Sequence, residues 1–203
     1  GNPIRAAFMS PPDNPLEIKH KFSLLVFGGS QGAKAINQAV LAALDNLEEI
    51  RQGLHIIHQT GAQELESVSS AYKSKGFDAE VHAFIMDMPS IYAQADLLVC
   101  RAGATSIAEM TASGRASILI PYPYAANDHQ TKNAEVLVHA GAAIVLPEAV
   151  LTGEKLADTI LLLYRDPDRI NRMEACSRQL ARREAAAEIV NECALMIDKK
   201  RGS

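Results

Sequence analysis

Short unbroken apolar runs alternate along this chain with longer stretches in which apolar residues recur every third or fourth position. The runs predict strands buried on both faces, and the longer stretches predict helices with one buried side. Phe22–Phe27 is the first run. It leads through Gly28–Gly32 into a helix from about Ala33 to Asn46, with Ile36, Val40, Leu41, Leu44 and Leu47 as its apolar positions. A second strand, Leu54–His58, opens into Gln59-Thr60-Gly61 and a helix through Leu65, Val68 and Tyr72 that Gly76 stops. A third strand, Ala79–Ala83, leads to Phe84-Ile85-Met86-Asp87-Met88-Pro89, where Pro89 suits the first turn of a short helix ending at Gln94.

Residues 95–130 carry the clearest succession of strand, loop, helix, strand and loop. Asp96–Cys100 ends abruptly at Arg101–Thr105, Ser106–Ala112 takes up helical spacing until Gly114, and a fifth strand runs to the loop Tyr122–Gln130. A helix over Thr131–His139, a sixth strand at Ala143–Leu146 and a helix from Thr152 follow, the last with Leu156, Ile160, Leu163 and Tyr164 on its face. Asp166-Pro167 breaks that helix, and one final helix is expected over about 168–197. Six strands alternating with helices predict an α/β fold with a doubly wound, six-stranded, parallel, Rossmann-like sheet. Residues 1–21 hold four of the nine prolines and no period, so they read as a linker to a folded domain at 22–203. In such a sheet the carboxyl ends of the strands carry the binding loops. The loops at Gly28–Gly32, Arg101–Thr105 and Tyr122–Gln130 should therefore share one edge.

Composition narrows the classes. With 203 residues, 48% of them apolar, the chain can bury a substantial core. A formal charge of −4 supplies no basic face for nucleic acid, and no apolar run nears the roughly 20 residues that span a bilayer. Cys100, Cys176 and Cys193 form no C-x-x-C pair, which argues against a disulfide framework or a zinc site and for a reducing compartment. No signal peptide is visible, and a start at Gly1 rather than Met suggests part of a longer chain. Lys199-Lys200-Arg201 is a short basic run suited to an anionic surface.

Tested against known chemistries, Gly28–Ala33 fails the dinucleotide spacing, because Ser30 and Ala33 stand at two of the three glycine positions and Gln59 stands where an acidic ribose ligand is wanted. It also fails as a Walker loop, with Ala33 and Ala35 in place of Gly and Ser/Thr. Gly28-x-Ser30-x-Gly32 does match the nucleophile elbow of serine hydrolases, with Asp96 and His129 following in hydrolase order. A glycine-rich packing turn and an anion site, with Ser30 and neighbouring N–H groups on a phosphate, are the other readings. Glu109 has the chemistry to accept two hydrogen bonds from vicinal ribose hydroxyls, or, with Ser106, to form a capping box. Asp166-Pro167-Asp168 reads as a helix cap rather than a metal ligand, and His55, His58 and His82 as core or edge residues.

Together GNPIR, LLVFGGSQGAKAIN, HQTG, the stretch FIMDMPSIYAQADLLVCRAGATSIAEMTASGRASILIPYP and NDHQTKNAEVLVHAGAA resemble the C-terminal domain of the MurG family, within glycosyltransferase family 28, over essentially the whole chain. The resemblance implies the donor-binding half of a GT-B enzyme that transfers N-acetylglucosamine from UDP-GlcNAc to lipid I, giving lipid II for peptidoglycan synthesis. It implies no cofactor or metal, a catalytic base and lipid I site in an N-terminal domain outside this chain, and peripheral contact with the cytoplasmic face of the membrane in the full enzyme. Transferred by motif, Arg5 and Ser30 would approach the diphosphate, and Ile85 would meet uracil through its backbone with Met88 nearby. Glu109 would hold the ribose, Ala104 and Thr105 would line the diphosphate and sugar, and His129 and Gln130 would hold sugar hydroxyls. The isolated chain is expected to bind donor without turnover. A serine hydrolase using Ser30, and a non-catalytic nucleotide-binding subunit that needs a partner chain, are the alternatives.

Overall fold

The structure, a computed structural model, describes residues 1–8, 21–29 and 32–201. Ser30, the middle of the expected linker and the side chains of the Lys199–Arg201 run lie outside the described residues. Six parallel strands form one sheet: β1 (Phe22–Phe27), β2 (Leu54–Gln59), β3 (Asp78–His82), β4 (Leu97–Cys100), β5 (Ala116–Leu119) and β6 (Ala143–Val145). Their spatial order is β3-β2-β1-β4-β5-β6. The chain works outward from β1 to one edge, then returns beside β1 and works outward to the other. The reversal falls between β1 and β4, the switch point at which ligands of such sheets bind.

Five of the six strands feed two cores, and the edge strand β3 packs on the first alone, through Ala79 and Val81. On β1, Leu24 and Val26 join one cluster while Leu25 and Phe27 join the other; on β4, Leu97 and Val99 oppose Leu98 and Cys100 in the same way. This period-two split is why β1 and β4 read as nearly unbroken apolar runs rather than alternating ones. The first cluster packs under α1 (Lys34–Ala43), α2 (Leu65–Lys75) and, further along the chain, Leu156, Ile160 and Leu163. The second packs under α3 (Met88–Gln94), α4 (Ala104–Ser113) and α5 (His129–His139). The remaining helices are α6 (Gly153–Tyr164), α7 (Pro167–Gln179) and α8 (Ala185–Arg201).

Four helices differ from the sequence reading by more than one residue. The first helix stops at Ala43 and continues as a 3-10 stretch, Leu44–Gly53. Leu44, Leu47 and Ile50 are all buried there, and their spacing of three is the 3-10 period. The single helix expected over 168–197 is two, α7 and α8. The break lets Arg178 and Arg183 donate to the carbonyls of Gly114 and Ala112 at the end of α4, and it buries Ala185. The other two are α4 and α5, each of which starts two residues early, α4 at Ala104 with Gly103 as its cap and α5 at His129. The first eight residues also pack against the domain. Phe8 is buried, with its ring edge-to-face on Tyr92 at 5.3 Å between centroids.

Candidate functional site

The loop after β1 is shaped by its contact with the loop after β2. Gly32 has φ +76, and a Cβ there would lie 1.9 Å from the Thr60 carbonyl oxygen, so only glycine permits the two loops to touch. Gln59, buried at the end of β2, fixes the arrangement from below. Its Nε2 donates to the Gly29 carbonyl at 2.8 Å, and its Oε1 accepts the Ile85 N–H at 2.7 Å. One carboxamide thus holds together the loops that follow β1, β2 and β3.

A buried polar chain supports that frame. Asn37 of α1 donates to the Thr60 carbonyl at 3.0 Å and to Glu64 at 2.6 Å, which leaves its side-chain oxygen to accept from His58 Nε2 at 3.0 Å. The other ring nitrogen of His58 then accepts from the Tyr72 hydroxyl at 2.8 Å. Both neighbours are satisfied by the neutral ring. Burial pushes the His58 pKa down to about 3.

Across the switch point stands α4. Glu109, in its second turn, is 7% exposed and accepts from Arg5 Nε at 3.1 Å and Nη2 at 2.9 Å, both on Oε1. The capping box does not form, because the cap is Gly103 and Ser106 lies inside the helix. Asn2 donates to the Thr105 hydroxyl at 3.3 Å, and the Arg5 guanidinium lies 5.0 Å from the Phe8 ring centroid. Neither α1 nor α4 has a side-chain cap, so their first-turn N–H groups are available to an anion.

Two cavities open on this edge. The smaller, about 340 Å³, is bounded by Arg5, Gln59, Ile85, Met88, Thr105 and Glu109. The larger, about 720 Å³, is bounded by Gly28, Gly32, Lys34, Arg101, Tyr122 and Gln130. Gly29 and Ser106 line both, so the two form one cleft across the β1–β4 switch point.

A family model described as the glycosyltransferase family 28 C-terminal domain matches residues 23–190. The chain belongs to glycosyltransferase family 28. This family 28 domain is 54% identical over 197 residues to the UDP-N-acetylglucosamine--N-acetylmuramyl-(pentapeptide) pyrophosphoryl-undecaprenol N-acetylglucosamine transferase of Syntrophus aciditrophicus (strain SB), covering 97% of this chain and 55% of that protein. It is 53% identical over 196 residues to the enzyme of the same name from Myxococcus xanthus (strain DK1622), covering 95% of this chain and 50% of that one. The crystal structure of MurG from Acinetobacter baumannii superposes with a TM-score of 0.78 at 33% identity, over 86% of this chain and 50% of that one. The chain spans about half the length of the curated relatives it matches.

Within the family 28 domain, Arg5, Ile85, Met88, Thr105 and Glu109 meet in the smaller cavity and Gln130 lines the larger. Ala104 is the exposed first residue of α4, between them. His129 is exposed, bounds neither cavity, and turns its Nδ1 to the Ala126 carbonyl at 2.8 Å. Gln130 accepts the Tyr122 N–H at 3.0 Å and so closes its own loop, where Asn127 and Asp128 take left-handed φ angles of 52° and 53°. The hydrolase alternative fails on geometry. Asp96 accepts the Ser23 N–H at 2.8 Å at the amino ends of β1 and β4, whereas Gly28 and His129 lie at the carboxyl edge. A four-residue strand separates those edges by roughly 13 Å, too far for a triad.

Sequence reasoning gave no part in the site to Lys34 or Glu148, and used Gln59 only to reject a dinucleotide. Gln59 was visible in HQTG, but its task depends on which strands flank β2. Glu148 pairs with Arg101 at 2.5 Å, and Arg101 also donates to the Ile120 and Pro121 carbonyls at 3.1 and 3.2 Å and lies 5.2 Å from the Tyr122 ring centroid. Arg101 therefore organises the rim of the cleft. Among the described residues no helix is long and apolar enough to cross a membrane.

Proposed function

We propose that this chain is the donor-binding half of an inverting transferase that moves N-acetylglucosamine from UDP-GlcNAc to lipid I. The observation that carries the reading is the meeting of two cavities at Gly29 and Ser106, the smaller with room for a nucleoside and the larger with room for a diphosphate and a sugar, with two uncapped helices beside the junction. In this reading uracil lies by Ile85 and Met88. Because the Ile85 N–H is bound to Gln59, the base takes the Ile85 carbonyl or displaces that carboxamide. Glu109 accepts the ribose hydroxyls, and Arg5 holds its carboxylate in place. Arg5 reaches the diphosphate only by releasing Glu109. Ala104 and Thr105 line the diphosphate, where the resemblance also puts Ser30, and Gln130 serves the sugar; His129, which bounds neither cavity, is given no part in it.

The chemistry follows from charge. The C4 hydroxyl of the muramoyl sugar attacks the anomeric carbon, the bond to the β-phosphate oxygen breaks, and the electron pair leaves with UDP. Helix N-termini fixed at the cleft stabilise that charge without reorganising. The acceptor, its base and the membrane contact belong to the half that the longer relatives carry in addition. The test is a calorimetric titration of the chain with UDP, UDP-GlcNAc and NAD, alongside an assay on a lipid I analogue. UDP and UDP-GlcNAc should bind, NAD should not, and turnover should be absent. Preference for NAD, or no response to UDP, would overturn the reading.

A further inference from the structure

Among the described residues, three cations border the cleft, and two are committed to carboxylates of the same domain. Arg5 is bound to Glu109, and Arg101 to Glu148 and two backbone carbonyls. Lys34 is the third. It is exposed, borders the larger cavity beside Gly28, Gly29 and Gly32, and has no hydrogen bond or ion pair among the described residues.

Its place in the chain is unfavourable on local grounds. Lys34 is the first residue of α1, the positive end of the helix, where no side chain caps the backbone and the first turn holds no acidic residue. A cation there is repelled by the helix end and gains nothing from packing. A residue that breaks a local rule at the mouth of a cleft, with no compensation inside the fold, marks a functional or a strained position, and Lys34, exposed at the cavity, is not strained.

We infer that Lys34 binds the donor diphosphate at the phosphate distal to uridine, the one that departs when the sugar is transferred. The inference rests on the donor reading above. A nucleoside held by Ile85 and Glu109 fills the smaller cavity, so its diphosphate extends past Gly29 and Ser106 into the larger one, and the distal phosphate arrives on the side that Lys34 borders. There Lys34 and the N-terminus of α1 act together on one anion. The lysine stays protonated and transfers nothing; it offsets the charge that accumulates as the bond to the sugar breaks.

The experiment compares the parent chain with Lys34→Ala, Lys34→Glu and Lys34→Arg by chemical-shift titration with UDP and with uridine, and by melting without ligand. Lys34→Ala should weaken UDP by about tenfold or more, the scale of a lost charge-assisted contact, with no change for uridine. Lys34→Arg should restore UDP binding. Lys34→Glu should weaken UDP further while melting above the parent, since it places an acid at the positive helix end. Unchanged UDP affinity in Lys34→Ala, or equal losses for UDP and uridine, would overturn the inference. A parent chain that binds neither ligand would instead sink the donor reading, and this inference with it.

Discussion

Arg5 and Glu109 stand 104 residues apart in the chain, and Arg5 Nη2 approaches Glu109 Oε1 to 2.9 Å at the floor of the smaller cavity. Glu109 is therefore a carboxylate held in position by a residue that precedes the sheet. Replacing it with Gln keeps the size and removes the charge that ribose hydroxyls would meet. Glu109→Gln should weaken UDP by about tenfold, near 1.4 kcal/mol, and leave 2′,3′-dideoxy-UDP almost unaffected. Calorimetry with the two nucleotides decides it. Equal losses for both would mean that Glu109 serves the fold alone.

Gln59 makes two bonds from a buried position, to Gly29 and to Ile85. Truncation to Ala leaves a half-buried carbonyl at Gly29 and a buried N–H at Ile85 without partners, the latter at a cost of about 1–3 kcal/mol. Gln59→Ala should lower the denaturant midpoint and weaken UDP. Gln59→Glu should harm binding too, because a carboxylate cannot donate to the Gly29 carbonyl. Urea unfolding followed by UDP titration separates the two effects.

His58 gives the fold a pH dependence whose direction can be worked out. Its pKa lies near 3 in the folded chain against an ordinary 6.5, so between those values the unfolded chain takes up the proton first. The stabilisation is complete above about pH 6.5 and declines as pH falls toward 3. Between pH 7.5 and pH 5.5 this one residue should cost about 1.4 kcal/mol of stability. Urea unfolding at the two values should show the loss, and His58→Gln should flatten it. An unaltered slope in the variant would assign the pH dependence to other groups.

Gly32→Ala places a methyl 1.9 Å from the Thr60 carbonyl in a left-handed backbone conformation. The loops after β1 and β2 must then separate. We expect a loss of about 2–3 kcal/mol or more, by the combined scales of overpacking and backbone strain, with UDP binding abolished and helix content kept. Circular dichroism and calorimetry on the same sample check both halves of that statement.

Much of this architecture was legible because the four inner strands are buried on both faces. Leu24 to Phe27 or Leu97 to Cys100 allow no other reading once loops and helices alternate between them. The division of the last helix was hidden because no glycine or proline marks residues 180–184; it is fixed by Arg178 and Arg183 reaching the end of α4. The 3-10 stretch was hidden because Leu44 and Leu47 also suit an α-helix, and only Ile50 completes the period of three. At the site, the resemblance supplied Arg5 and Glu109 but not their pairing, which depends on the first eight residues packing on α4. Gln59 was noticed only as a missing acid, because its value as a brace depends on strand order, a property of the whole sheet.

Both partners of the Gln59 carboxamide are main-chain atoms, so the brace does not depend on which side chain stands at position 85, while Gly29, at φ +106, stays glycine for its backbone alone. Mutational drift at the mouth of the pocket can therefore alter what enters without slackening the scaffold underneath. Substrate preference and mechanical integrity are, at this edge of the sheet, separately adjustable.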